Sequence, residues 1–201
     1  CALPILLAQA QSWPVTVKDL DNRTVTVEHE PQRIILQDGR DIFALALLER
    51  DNPFAKVVAW NNLPKKQDTE TWNVLKRKWP EAEKILDMKF SDQGNVDLET
   101  VISRQPDLMI AQLRAKPSLV QTGVLAKLDA LHIPVIFVDY ELHPVENTLP
   151  SIALLGKVMG QTGRAQAYMD FYQQRLDRIH QRLATTSKKP LVFIEPIAGV
   201  G

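Results

Sequence analysis

Four short apolar runs restrict this chain to a sheet covered on both faces. Residues 33–36, 56–60, 107–111 and 133–139 lack the apolar–polar alternation of a half-wet strand, which is the pattern of strands buried on both sides. Helical patterns separate them. Residues 41–50 and 71–79 read as helices, Leu98, Val101 and Ile102 form an apolar stripe, and residues 117–131 turn Leu119, Val124, Leu125, Leu128 and Leu131 inward. Residues 81–88 read as a connector. Buried strands alternating with helices predict an α/β fold with a mostly parallel sheet, right-handed connections and a three-layer, Rossmann-like build.

An N-terminal β-ribbon precedes the sheet. Val15, Val17, Val25 and Val27 alternate with Thr16, Lys18, Thr24 and Thr26, and residues 19–22 supply the turn. That turn is not a calcium loop, because Arg23 and Thr24 occupy the oxygen-ligand and glycine positions. Open α/β sheets bind ligands beyond the carboxyl ends of their strands. Here those exits are Gln37-Asp38-Gly39-Arg40, Trp60-Asn61-Asn62, Gln112-Leu113-Arg114 and Tyr140-Glu141. Each has a structural alternative: Arg40 can pair with Asp38 or Asp41, and Trp60 can pack on a neighbouring helix.

Composition narrows the function. The 24 basic and 24 acidic residues cancel, so no net charge draws the chain to nucleic acid or an anionic membrane. Lys76, Arg77 and Lys78 lie among Trp72, Leu75 and Trp79 at helical spacing, as a solvated helix face does. One glycine follows the first strand where a dinucleotide fingerprint needs three, and neither a P-loop nor a Gly-x-Ser-x-Gly elbow occurs. The residues therefore give no catalytic set and no cofactor site. His29, His132, His143 and His180 fall on separate elements and do not converge on a metal.

Residues 1–10 read as the end of an export signal, closing on Ala8-Gln9-Ala10, with an acylated Cys1 or an apolar arm as the other readings. Residues 11–148 form the α/β lobe and residues 149–186 a long helical segment jointed at Gly160 and Gly163. Residues 187–201 begin a fresh strand at 191–195, the expected start of a truncated second lobe.

The ordered set PVTVKDLDNRTVTVEHEPQRIILQ, NVDLETVISRQPDLMIAQ, IPVIFVD and SIALLGKVMGQTGRAQAYMDFY resembles the periplasmic solute-binding proteins of ABC importers for ferric siderophores, haem and cobalamin. The resemblance implies two α/β lobes joined by a helical backbone, and a monomeric periplasmic receptor that hands a ferric chelate to an inner-membrane permease. A bare-metal receptor or a soluble α/β enzyme are the alternatives. It further implies ligand contacts at Gln37, Asp38, Arg40, Trp60, Asn61, Asp92, Gln93, Gln112, Arg114 and Tyr140. Arg40 and Arg114 would pair with carboxylate or catecholate oxygens, and Trp60 and Tyr140 would pack on apolar parts of the ligand. Relatives often carry an acidic permease-docking residue after the third strand, where this chain has Lys116-Pro117-Ser118 and Gln121; Glu141 or Glu146 would have to substitute.

Overall fold

The computed structural model describes residues 12–89, 96, 98–188 and 190–192. Strands β1 (Val15–Lys18) and β2 (Thr24–Val27) pair antiparallel, with Val15 opposite Val27 and Lys18 opposite Thr24. The buried runs become β3 (Ile34–Leu36), β4 (Val57–Trp60), β6 (Leu108–Gln112) and β7 (Val135–Val138). A fifth strand, β5 (Leu86–Asp87), lies inside the predicted connector. It is two half-buried residues long, too short to produce a periodicity. All five strands are parallel in the order β5-β4-β3-β6-β7. The chain winds outward from β3 one way through β4 and β5, then the other way through β6 and β7. The switch point between β3 and β6 opens a crevice at their carboxyl ends.

Alternate residues of each strand feed two apolar layers. Ile34, Leu36, Leu108, Ile110, Ile136 and Val138 face α1 (Ile42–Leu48), α3 (Thr69–Lys78) and α7 (Pro144–Val158), which contribute Leu45, Trp72 and Leu155. Ile35, Met109, Ala111 and Phe137 face α4 (Leu98–Ile102), α5 (Lys116–Gln121) and α6 (Val124–Ala130), through Val101, Leu119 and Leu128. Residues predicted as one helix, 117–131, are thus two. Gly123 sits between them at φ 74°, a left-handed conformation glycine adopts without steric cost. A short α2 (Leu63–Gln67), capped by the Asn62 side chain on Lys65 N at 3.2 Å, escaped the sequence reading.

The ribbon closes one edge of the sheet. Leu20 N donates to Phe137 O at 3.0 Å, and Phe137 N donates to the Asp19 carboxylate at 3.2 Å. Asp19 also accepts from Asp21 N, Arg23 N, Arg23 Nε and Arg23 Nη2, while Arg23 Nη2 donates to Val135 O at 2.6 Å. The Arg23 guanidinium lies 4.6 Å from the centre of the Phe137 ring. Unpaired groups along an edge strand invite pairing with another chain, and here they are consumed within the molecule.

The chain divides into two compact units, Cys1–Met169 and Asp170–Gly201. Helix α8 spans Thr162–Leu183. In the first unit α7 and α8 meet at Gly156, where an added Cβ would stand 2.4 Å from that of Ala165. In the second, the Arg175 guanidinium lies 5.0 Å from the centre of the Phe171 ring, and Phe171, Ile179 and Leu183 are exposed. The export-signal reading falls on residues outside those described. Of the strand expected at 191–195 only Leu191 and Val192 are described, and neither is in a strand.

Candidate functional site

The exit of β3 turns at once into α1 because Gly39 lets the chain pass against the exit of β4. A Cβ at Gly39 would lie 2.0 Å from Asn61 O. Just before it, the buried Asp38 carboxylate accepts from Arg40 N at 2.9 Å, Arg40 Nε at 3.0 Å and Arg114 Nη2 at 2.8 Å. Glu141, from the exit of β7, completes a ring. Its Oε1 is 2.5 Å from Arg40 Nη2 and its Oε2 is 2.5 Å from Arg114 Nε. Two guanidinium groups thus alternate with two carboxylates across three strand exits. Burial works to raise the Asp38 pKa, but the hydrogen bonds and charge of Arg40, with the hydrogen bond of Arg114, outweigh it and hold the carboxyl below its usual range.

Behind this ring, Gln37 Oε1 accepts from Gln112 N at 3.1 Å and ties β3 to β6. Gln112 Oε1 accepts from Tyr140 N at 3.4 Å, which turns its amide nitrogen toward Asp41 Oδ1, to which it donates. Asp41, at the start of α1, makes no capping bond and is buried. Burial first, and the Asp38 carboxylate next, push its pKa well above the usual range. Such a carboxyl favours folding while the unfolded chain is protonated too, below about pH 4, and loses that contribution as pH rises toward its folded pKa. Asp41→Asn is therefore expected to melt higher than the wild type at pH 7 and to show no gain at about pH 3, by paired thermal melts.

These groups border a cavity of about 520 Å³ in the first unit, with Asp38, Arg40, Asp41, Gln112, Tyr140 and Glu141 on its polar side. Phe43, Leu47, Ile152 and Tyr168 add apolar and aromatic walls. Arg114 bears on it through Asp38 and Glu141. A groove of about 600 Å³, between the ribbon and the amino ends of β6 and β7, lies away from the strand exits.

Two predicted site residues sit elsewhere. Trp60 is fully buried, its ring centre 5.6 Å from that of Phe54 and 5.7 Å from that of Trp72. Pairing shifts from Ile34↔Val57 to Ile35↔Ala59, so β4 carries one extra residue, which turns Trp60 into the layer beneath α3. Asn61 is buried among α2 and the exit of β5, its Oδ1 3.4 Å from Lys66 Nζ. Asp92 and Gln93 lie outside the described residues. Asp41 was missed as a site residue, although a lone carboxylate opening a wholly apolar helix was its one visible signal. Lys116 pairs with Asp21 at 2.6 Å.

Comparison with known proteins agrees with this architecture. The chain is 28% identical over 192 residues to the uncharacterized ABC transporter substrate-binding lipoprotein YvrC of Bacillus subtilis (strain 168), covering 93% of this chain and 54% of that protein. The fold is similar to that of the TroA-like periplasmic binding protein FepB from Veillonella parvula, with a TM-score of 0.78 and 24% identity over 88% of this chain and 51% of that one. It is also similar to the siderophore binding protein BauB, solved with two molecules of acinetobactin and ferric iron, with a TM-score of 0.59 and 17% identity over 88% of this chain and 57% of that one. The chain spans about half the length of the proteins it matches. Residues 45–199 match the family described as periplasmic binding protein, and the chain belongs to that family.

Proposed function

We propose that this chain carries the N-terminal lobe of an extracytoplasmic receptor that captures a ferric chelate and delivers it to an ABC permease. Residues 11–148 form the lobe, 149–186 the helical segment that leads to a second lobe, and 187–201 the start of that lobe. The observation that carries the reading is the meeting of Arg40, Arg114 and Tyr140 at the switch-point crevice, beside a cavity of ligand size. Arginine forks suit the carboxylate, hydroxamate or catecholate oxygens of an iron chelate. BauB, with its ferric siderophore, supports this cargo class, and YvrC, by its name, supports the ABC importer.

The task is binding and release, with no bond made or broken. Export follows from Ala8-Gln9-Ala10, and the lipoprotein name of YvrC adds an acylated Cys1 as a second route to the same side of the membrane. Titrating the full-length protein with ferric catecholate, ferric hydroxamate, haem and cobalamin tests the reading by calorimetry. One of the four is expected to bind, and Arg114→Ala to weaken it about ten- to a hundredfold, the worth of a charged hydrogen bond. Silence from the whole set would reject the proposal.

A further inference from the structure

Two buried oxygens on the cavity wall are left without partners. Asp41 Oδ2 and the Tyr140 hydroxyl are both shielded from solvent, and neither has a hydrogen-bond partner among the described residues. Asp41 is 3% exposed, and its other oxygen is held by Gln112. Leaving a polar atom buried and unpaired costs free energy comparable to several exposed ion pairs, so such atoms call for an explanation. Both residues line the same cavity. Asp41 gives nothing to the start of its own helix, so capping does not account for the carboxylate.

We propose that Asp41 Oδ2 and Tyr140 Oη form the floor of the ligand cavity and hydrogen-bond a neutral or anionic acceptor oxygen of the bound solute. The inference rests on the receptor reading above and narrows its cargo to a chelate that presents a carbonyl, hydroxamate, catecholate or carboxylate oxygen inward. Burial of Asp41 against the Asp38 carboxylate favours its protonated form, and Gln112 donates to Oδ1, so the proton belongs on Oδ2. Burial likewise keeps the Tyr140 phenol protonated by raising its pKa well above the usual value. The floor then offers two O–H donors. Phe43, Leu47 and Ile152 beside it suit the apolar edge of the same ligand, and Arg40 offers further donors at the mouth.

Iron-free acetohydroxamic acid and catechol probe the floor directly. In crystals of the full-length protein soaked with either, one fragment oxygen is expected within hydrogen-bond distance of both Asp41 Oδ2 and Tyr140 Oη. Fragments seated only against Arg40 and Arg114, or water alone on the two oxygens, would overturn the inference. In solution, ferric tris-catecholate or tris-hydroxamate affinity is expected to fall about tenfold in Tyr140→Phe and in Asp41→Val. Asp41→Asn accepts from Gln112 and still donates into the cavity, so it should recover most of what Asp41→Val loses. A folded Asp41→Asn as weak as Asp41→Val means that the carboxylate charge is what the ligand meets, and sinks the floor as described. Fragments on the floor with no chelate bound would instead sink the receptor reading alone.

Discussion

Gly39→Ala is expected to lower the melting temperature by about 6–12 °C, corresponding to about 3 kcal/mol at the upper end of overpacking costs. The new methyl would lie 2.0 Å from Asn61 O, a distance no Cβ contact tolerates. Relief by moving that carbonyl is blocked. Asn61 O accepts from Leu63 N at 2.7 Å, and Asn61 N donates to Leu36 O at 3.2 Å, so both sides of the β4 exit are held. Displacing the β3 exit instead would carry Asp38 and Arg40 away from Arg114 and Glu141 and open the ion ring. An unchanged thermal melt would show that the two exits do not approach this closely.

Asp19→Ala is expected to cost about 2–3 kcal/mol in urea unfolding, the upper part of the range for leaving a buried donor unpaired, since Arg23 is 35% exposed and only the carboxylate is fully buried. The Asp19 side chain is fully buried and takes donors from the turn, from Arg23 and from the edge of β7. Its loss leaves Phe137 N without its acceptor, while Arg23 keeps Val135 O and solvent. The neighbouring pair of Lys116 and Asp21 provides the contrast. Both of its side chains are part-exposed, so Asp21→Ala should change stability by about 1 kcal/mol or less. Equal effects from the two alanines would mean that the edge contributes nothing beyond ordinary surface charge.

The sheet was legible because strands buried on both faces need uninterrupted apolar residues, and four such runs stand out. What escaped notice escaped for physical reasons. β5 is short and half-wet. Gly123 breaks a helix whose apolar spacing runs on undisturbed from Leu119 to Leu128. The extra residue in β4 reverses which layer Trp60 enters, and pairing register is a property of two strands that neither one encodes alone.

Strand exits located Asp38, Arg40, Gln112 and Tyr140 at the cavity, and Arg114 beside it. They did not reveal that the arginines are already engaged. Pairing of Arg40 with Asp38 was one of two options in the sequence, whereas the role of Glu141 as partner to both guanidinium groups depends on how three exits converge. Asp41 was readable only as a helix-opening acid. Its contact with Gln112 crosses 71 positions of sequence, and the lack of a partner for its second oxygen is a property of the cavity.

The seal on β7 also sets an order of events. Asp19 precedes Phe137 by 118 positions, so nearly the whole lobe must leave the ribosome before the ribbon can find the strand it protects. Until then the outermost strand has an open flank, and contacts this distant in sequence are slow to form. The newborn chain is therefore most exposed to clumping, and to rescue by chaperones, in the interval between making β7 and docking the ribbon turn on it.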